Sequence, residues 1–329
     1  MLRAYISQND RIVAADIDPS DGAGANAAVW YSLFDPTRAE DQFVESCLGI
    51  DIPTRAEMDD IEPSARLYNE NDAEFMTITA LANSDTDEPI KTPISFVLRR
   101  GQLVTVRYAD PKPFAAFERL ITRSQGGIYA SGEKVMLGIL EAIIDRLAQL
   151  LETTGDEIDQ ISREVFRNKT KNVTRKARDL QEIIERIGKK GDILTMARES
   201  LVSITRLSSF HQTVDTGNLK MAKDLRQELK VIQRDAGALS DHAAFLSNKI
   251  NFLLDATLGL INLEQNQIIK IFSVAAVVFL PPTLVASIYG MNFDFMPELA
   301  WPFGYPFAIG LMIASAILPY LFFKRKGWL

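Results

Sequence analysis

From residue 255 onward, oxygen-bearing and small side chains recur on one side of a segment with helical patterning. Taking Asn266 as reference and advancing about 100° per residue, Asp255, Gly259, Asn262, Ser273 and Leu280 fall within roughly 60° of it. Thr283 and Ser287 extend this stripe past Pro281-Pro282, where the prolines disturb the helical phase. Other groups able to do chemistry are sparse. His211 and His242 are separate and read as structural or exposed, Cys47 has no identifiable base, and the sequence holds no phosphate-binding loop. Neither nucleophilic catalysis nor nucleotide-driven work is expected, so the chain does not read as an enzyme.

The stripe runs into a segment built for a bilayer. Between Lys270 and Asp294 lie about 23 uncharged residues, and a second uncharged run of about 25 covers 299–323, where about 20 suffice to span. Only the short loop 290–304 separates them, which predicts a helical hairpin. A polar stripe inside a membrane needs partner helices or water. Repeated around a symmetry axis it would line a pore; alternatively, the Ser and Thr hydroxyls bond their own helix. Lys270 lies close to the stripe and can snorkel to the headgroups. Basic residues Lys324, Arg325 and Lys326 follow the second run, Lys270 precedes the first, and the loop has neither Lys nor Arg, which predicts both termini in the cytoplasm. Trp301, Tyr305, Tyr320 and Trp328 sit near the run ends, as interfacial aromatics do.

Upstream, the composition is that of an acidic soluble body. The chain carries −7; residues from 268 on hold four cations against two acids, which leaves −9 before them. That balance argues against nucleic acid as a partner and suits one that attracts cations. A single cysteine excludes an internal disulfide, and the N-terminal residues form no secretory signal, so this part is expected in the cytoplasm. Residues 1–130 read as an α/β domain with strands at 11–17, 28–34, 74–80, 95–98 and 103–108, a turn at Arg99-Arg100-Gly101-Gln102, and helix starts near Pro53 and Pro111. Residues 131–267 read as helical. Leu137, Leu140, Ile144, Leu147 and Leu151 keep three- and four-residue spacing, and Glu141, Asp145, Glu152, Asp156, Glu157, Asp159 and Glu164 form either a solvated face or a cation-attracting one. After the Thr216-Gly217-Asn218 turn, one stalk helix from about 219 would run roughly 100 Å into the membrane, and such a helix favours an oligomer with a central bundle. Residues 268–329 are the membrane part, with helices near 270–290 and 303–323.

Gly290-Met291-Asn292 directly after the first run, then Met296-Pro297-Glu298-Leu299 and the tail Phe323-Lys324-Arg325-Lys326-Gly327-Trp328-Leu329, together resemble the signature of the CorA magnesium transporters. The resemblance rests on about the last 65 residues. It implies a funnel-shaped homopentamer in the bacterial inner membrane, its first membrane helices around the pore and its second helices in an outer ring. It implies channel-like Mg²⁺ influx driven by the membrane potential, with Co²⁺ or Ni²⁺ as possible surrogates and no nucleotide. Gly290, Met291 and Asn292 would form the filter, with Asn292 at the external entrance. Thr283, Leu280 at an apolar constriction, Ser273 and Asn266 at the cytoplasmic mouth would follow. Asp294 and Glu298 would concentrate cations outside, or are ordinary loop acids. A regulatory Mg²⁺ would bridge adjacent subunits through Asp255 and the acidic segment Asp85, Asp87, Glu88, a segment that also reads as a solvated loop. Zinc transporters share the scaffold, although Met291 favours magnesium. A membrane sensor that merely uses the hairpin as an anchor would need no polar stripe.

Overall fold

Runs rich in β-branched and aromatic residues make seven strands: β1 (Leu2–Gln8), β2 (Arg11–Asp16), β3 (Ala28–Phe34), β4 (Leu67–Glu70), β5 (Ala73–Ala82), β6 (Ile90–Arg99) and β7 (Gln102–Arg107). The structure, a computed structural model, describes residues 1–8, 11–19, 28–60, 62–84, 86, 88–124, 127–167, 173–212, 219–291, 296–297 and 301–327. The strands form one sheet in the order β2-β1-β3-β7-β6-β5-β4. Of its neighbouring pairs only β3 and β7 run parallel. All five strands expected from sequence are present, while β1 and β4 were not foreseen. The turn between β6 and β7 has Arg100 and Gly101 both at positive φ, 51° and 78°, the two-residue geometry that matches strand twist. Asn71 and Asp72 make the same kind of turn between β4 and β5. The Thr216-Gly217-Asn218 turn and Trp328 lie outside the described residues.

Eight helices are described: α1 (Arg38–Leu48), α2 (Arg55–Asp59), α3 (Pro63–Arg66), α4 (Lys112–Arg123), α5 (Gly132–Arg167), α6 (Val173–His211), α7 (Leu219–Tyr289) and α8 (Gly304–Arg325). The central strands are buried on both faces. Ala4, Tyr31, Leu33, Val104 and Val106 pack with Val44 of α1 and Met58 of α2. On β3 the intervening Trp30 stacks on Tyr5 at 4.2 Å, meets Phe114 and Phe117 of α4, and donates its indole N–H to Thr105 Oγ1 at 2.9 Å. The start of α5 presses on the sheet: Gly132 N–H donates to the Gly101 carbonyl at 2.7 Å, and a Cβ there would stand 2.6 Å from β7 backbone.

Arg107, at the end of β7, is the buried cation of this core. Its guanidinium lies 4.3 Å from the Phe114 ring centre, donates to Ser32 Oγ at 2.7 Å, and faces Glu118 and Asp110 at 3.5 Å each. Burial lowers its pKa against the opposing pull of Glu118 and Asp110. Arg107→Ala should therefore cost roughly 2–4 kcal/mol, because it empties the space beside the rings and leaves Glu118 with Arg3 alone, at 3.4 Å, of the two cations it faces. A thermal melt of the purified protein reads the loss, and an unchanged midpoint would show that neither the packing nor the charge of Arg107 stabilises this core.

The contacts divide the chain into residues 1–167 with 185–253, and residues 168–184 with 254–329. In the first unit, sequence left the acids of α5 as either a solvated or a cation-attracting face. Three of them are instead paired with cations of other helices: Glu157 with Lys190, Glu164 with Arg186, and Asp159 with Lys249. The bonds from Arg186 and Lys249 hold Glu164 and Asp159 below their ordinary range, so these ties are present above that range and fade only as pH falls through the lowered values. In the second unit, the C-terminal part of α7 and all of α8 are long and apolar enough to cross a membrane, and very little of either apolar stretch is buried. Pro281 and Pro282 lie inside α7. They remove the N–H groups that would bond the Val277 and Val278 carbonyls, yet the helix continues through them to Tyr289.

Candidate functional site

The residues expected on the polar stripe of α7 are all exposed: Asp255, Gly259, Asn262, Asn266, Ser273, Leu280, Thr283 and Ser287. The unbroken helix also reveals a longer regularity. Val231, Ala238, Phe245, Phe252, Gly259, Asn266, Ser273, Leu280 and Ser287 stand seven residues apart, and every one is exposed. A second exposed series interleaves with it: Asp241, Asn248, Asp255, Asn262, Ile269, Ala276 and Thr283. Buried residues of α7, including Ile232, Ala236, Ala243, Leu246, Ile250 and Leu253, fall at other positions of the repeat. A sustained seven-residue repeat belongs to helices that supercoil around one another.

This repeat corrects the phase of the stripe. Ideal 100° steps put Thr283 about 100° away from Asn266, whereas about 3.5 residues per turn brings it within roughly 50°. Sequence reasoning missed Ile269, Ala276 and the whole extension back to Val231, because it followed polarity and not the period. The chemistry of the seam changes along its length. The first series is aromatic at Phe245 and Phe252, then small or polar through the apolar stretch except at Leu280. Such a face inside a bilayer is suited to partner helices or water and not to lipid tails.

Individual side chains bear this out unevenly. Thr283 Oγ1 donates to the Phe279 carbonyl at 2.8 Å, so the expected own-helix bond does form there, and only oxygen lone pairs remain for anything else. Asn266, Ser273 and Ser287 make no side-chain hydrogen bond to the described residues. At the end of α7, Gly290 N–H donates to the Ala286 carbonyl at 3.0 Å and Met291 N–H to Ile288 at 3.2 Å. A Cβ on Gly290 would lie 3.1 Å from the Ala286 oxygen, so a larger residue would push on backbone. Asn292, Asp294 and Glu298 lie outside the described residues. Lys324, Arg325 and Lys326 are exposed at the end of α8, where the Lys326 N–H closes the helix on the Phe322 carbonyl at 3.1 Å. Lys270 is likewise exposed.

Of the residues expected to hold a regulatory ion, Asp255 is exposed and has no ion pair with the described residues. Glu88 is exposed, and its N–H donates to Thr86 Oγ1 at 3.3 Å. Asp85 and Asp87 lie outside the described residues. Asp255 and Glu88 belong to different units, and the described residues hold no cluster of three acids, histidines or cysteines fit for a metal. His211 is buried with its Nδ1 2.6 Å from Glu74 Oε2, while His242 stacks on Phe245, so the two histidines lie apart as expected.

Comparison with known proteins covers nearly the whole chain. Residues 25–325 match the family model described as "CorA-like Mg2+ transporter protein". The magnesium transport protein CorA of Haemophilus influenzae is 35% identical over 332 residues, covering 100% of both chains. The magnesium transport protein CorA of Escherichia coli K12 is 36% identical over 332 residues, again covering 100% of both. Among solved structures, the complete CorA magnesium transporter of Methanocaldococcus jannaschii shares the fold with a TM-score of 0.75 at 20% identity, covering 100% of this chain and 99% of that one.

Proposed function

The chain belongs to the CorA-like Mg2+ transporter family, a family of transporters and not of enzymes, and from that premise we propose that it conducts Mg²⁺ passively into the cell through a homo-oligomeric pore. The observation that carries this reading is the exposed seven-residue seam of α7. A seam of that length on one chain is completed by copies of itself, and Phe245 and Phe252 supply the apolar contacts of the bundle. Family resemblance favours five copies. Residues 1–130 then act as a cytoplasmic α/β domain, residues 131–267 as a helical region with its stalk, and residues 268–329 as the membrane part of a multi-pass inner-membrane protein with both termini inside.

The chemistry along the seam fits a hydrated ion. Asn292 carboxamides, with Gly290 and Met291 forming the tight end of α7, would hydrogen-bond the waters of Mg²⁺ without stripping them, while Asp294 and Glu298 raise the local cation concentration. Ser273, Thr283 and Asn266 offer oxygens farther in, and Leu280, the one large apolar member of the first series beyond Phe252, is placed to break the water column when its copies close together. The driving force is the inside-negative potential, about 2.3 kcal/mol per charge per 100 mV and hence twice that for Mg²⁺. Lys324, Arg325 and Lys326 anchor the tail at the cytoplasmic headgroups. Asp255, with Asp85, Asp87 and Glu88 of a neighbouring copy, would bind intracellular Mg²⁺ and hold the bundle shut.

Flux into proteoliposomes under an inside-negative potential tests this reading, with Co²⁺, Ni²⁺ and Zn²⁺ run in parallel. Saturable Mg²⁺ entry that stops when the potential is collapsed is expected. Internal Mg²⁺ should slow it in the natural protein and less so in Asp255→Ala. Zn²⁺ entry without Mg²⁺ would move the chain to a zinc transporter, and no flux of any ion would reduce the hairpin to a sensor's anchor.

A further inference from the structure

A cleft of about 870 Å³ opens beside α6, lined by residues of α2, α3, β4, β5 and β6 and by Ser247 of α7. Its wall is basic in an otherwise acidic chain: Arg66, Lys91, Arg198 and Arg206 stand there against Asp59 and Glu199, while the chain as a whole carries −7. Lys91 and Glu199 neutralise each other at 2.8 Å, which leaves three guanidinium groups with one carboxylate.

Two of those guanidinium groups have no carboxylate partner among the described residues, namely Arg198 and Arg206 on the exposed side of α6. Arg66 is fixed from behind: Nε donates to the Asp60 carbonyl at 2.5 Å and Nη1 to Thr79 Oγ1 at 2.9 Å, so its remaining N–H groups are free. Thr77, only 7% exposed, lines the same cleft, and its hydroxyl has no hydrogen-bond partner among the described residues. Ser203 knits α6 to β5 beneath them, accepting from Thr79 N–H at 3.0 Å, so these walls are tied together.

We propose that this cleft binds a phosphate-bearing anion. Guanidinium forks match phosphate oxygens in pairs, whereas a carboxylate of the protein's own would have been the cheaper way to neutralise them. The volume lies in the range of small-molecule sites, and Leu67, Pro93 and Val202 give the cleft an apolar side for the organic part of such a ligand. A bound anion would bridge Arg66 to Arg198 and Arg206, and so clamp the edge of the sheet to α6. The inference is independent of ion conduction, because it concerns binding to the first unit alone.

The test is isothermal titration of inorganic pyrophosphate into the full chain in zwitterionic lipid nanodiscs, in Mg²⁺-free buffer at low salt. Saturable binding at one site per chain is expected, weakened about tenfold or more by Arg198→Gln with Arg206→Gln. Both residues are exposed, so the fold should survive, and a thermal melt checks that. Arg226→Gln with Arg234→Gln, the same loss of two charges at exposed arginines outside the cleft, should leave binding intact. Absence of saturable binding, or equal weakening by the control and the cleft variants, would overturn the proposal. Repeating the titration in nanodiscs with phosphatidic acid identifies the source. Competition would mark a lipid headgroup as the occupant, and no competition a soluble phosphate compound.

Discussion

Replacing Asn292 by alanine is expected to lower Mg²⁺ influx by about a hundredfold while leaving assembly intact. Each carboxamide in a ring would contribute roughly 1 kcal/mol through a hydrogen bond to the ion's hydration shell, and every copy loses its bond at once. About 1.4 kcal/mol corresponds to a factor of ten, so a few bonds lost together suffice. The substitution removes no charge and little volume, which separates a filter role from a general electrostatic one. Influx measured in proteoliposomes reads the effect directly. Normal influx in this variant would move the filter away from the Gly290-Met291-Asn292 segment, with Asp294 and Glu298 the next groups to examine.

The second large effect concerns assembly. Phe245 and Phe252 are each 61% exposed on the single chain, at successive positions of the seven-residue repeat. Burying a phenylalanine stabilises by about 1.5–3 kcal/mol, and every copy contributes two to the bundle. Phe245→Glu with Phe252→Glu would replace these contacts by like charges gathered around one axis, so the oligomer should fall apart and influx should vanish with it. Both side chains point away from the core of their own chain, so the subunit itself should stay folded. Light scattering coupled to size exclusion, with circular dichroism on the same sample, distinguishes dissociation from unfolding. An intact oligomer in this variant would mean that copies meet along some other surface.

How much of this was legible in the sequence depended on whether the cause was local. The two membrane helices follow from uncharged runs of sufficient length, and the polar stripe from residue types along one of them. Five of seven strands were visible as apolar alternation closed by turn residues. β1 was lost among polar neighbours at the start of the chain, and β4 is only four residues long and exists because β5 pairs with it through the Asn71-Asp72 turn. The acids of α5 were unreadable for a different reason. Lys190 and Lys249 lie far along the chain from Glu157 and Asp159, and only the tertiary fold brings them together. The seam was partly visible. Its polar members stood out against the membrane segment, whereas Phe245 and Phe252 lie outside any polar pattern, and only the fold shows them exposed.

The central claim is that this seam faces the ion path, and chemical modification of single cysteines tests it most directly. In a Cys47→Ser background, which removes the chain's only cysteine, Ser273→Cys and Ala275→Cys place thiols on and off the seam. Ideal stepping puts residue 275 about 180° from Asn266. A cationic thiosulfonate reagent added to proteoliposomes should stop Mg²⁺ influx in the Ser273→Cys variant and leave the Ala275→Cys variant conducting. Block at residue 275 with none at residue 273 would place the ion path on the other side of α7 and contradict the account.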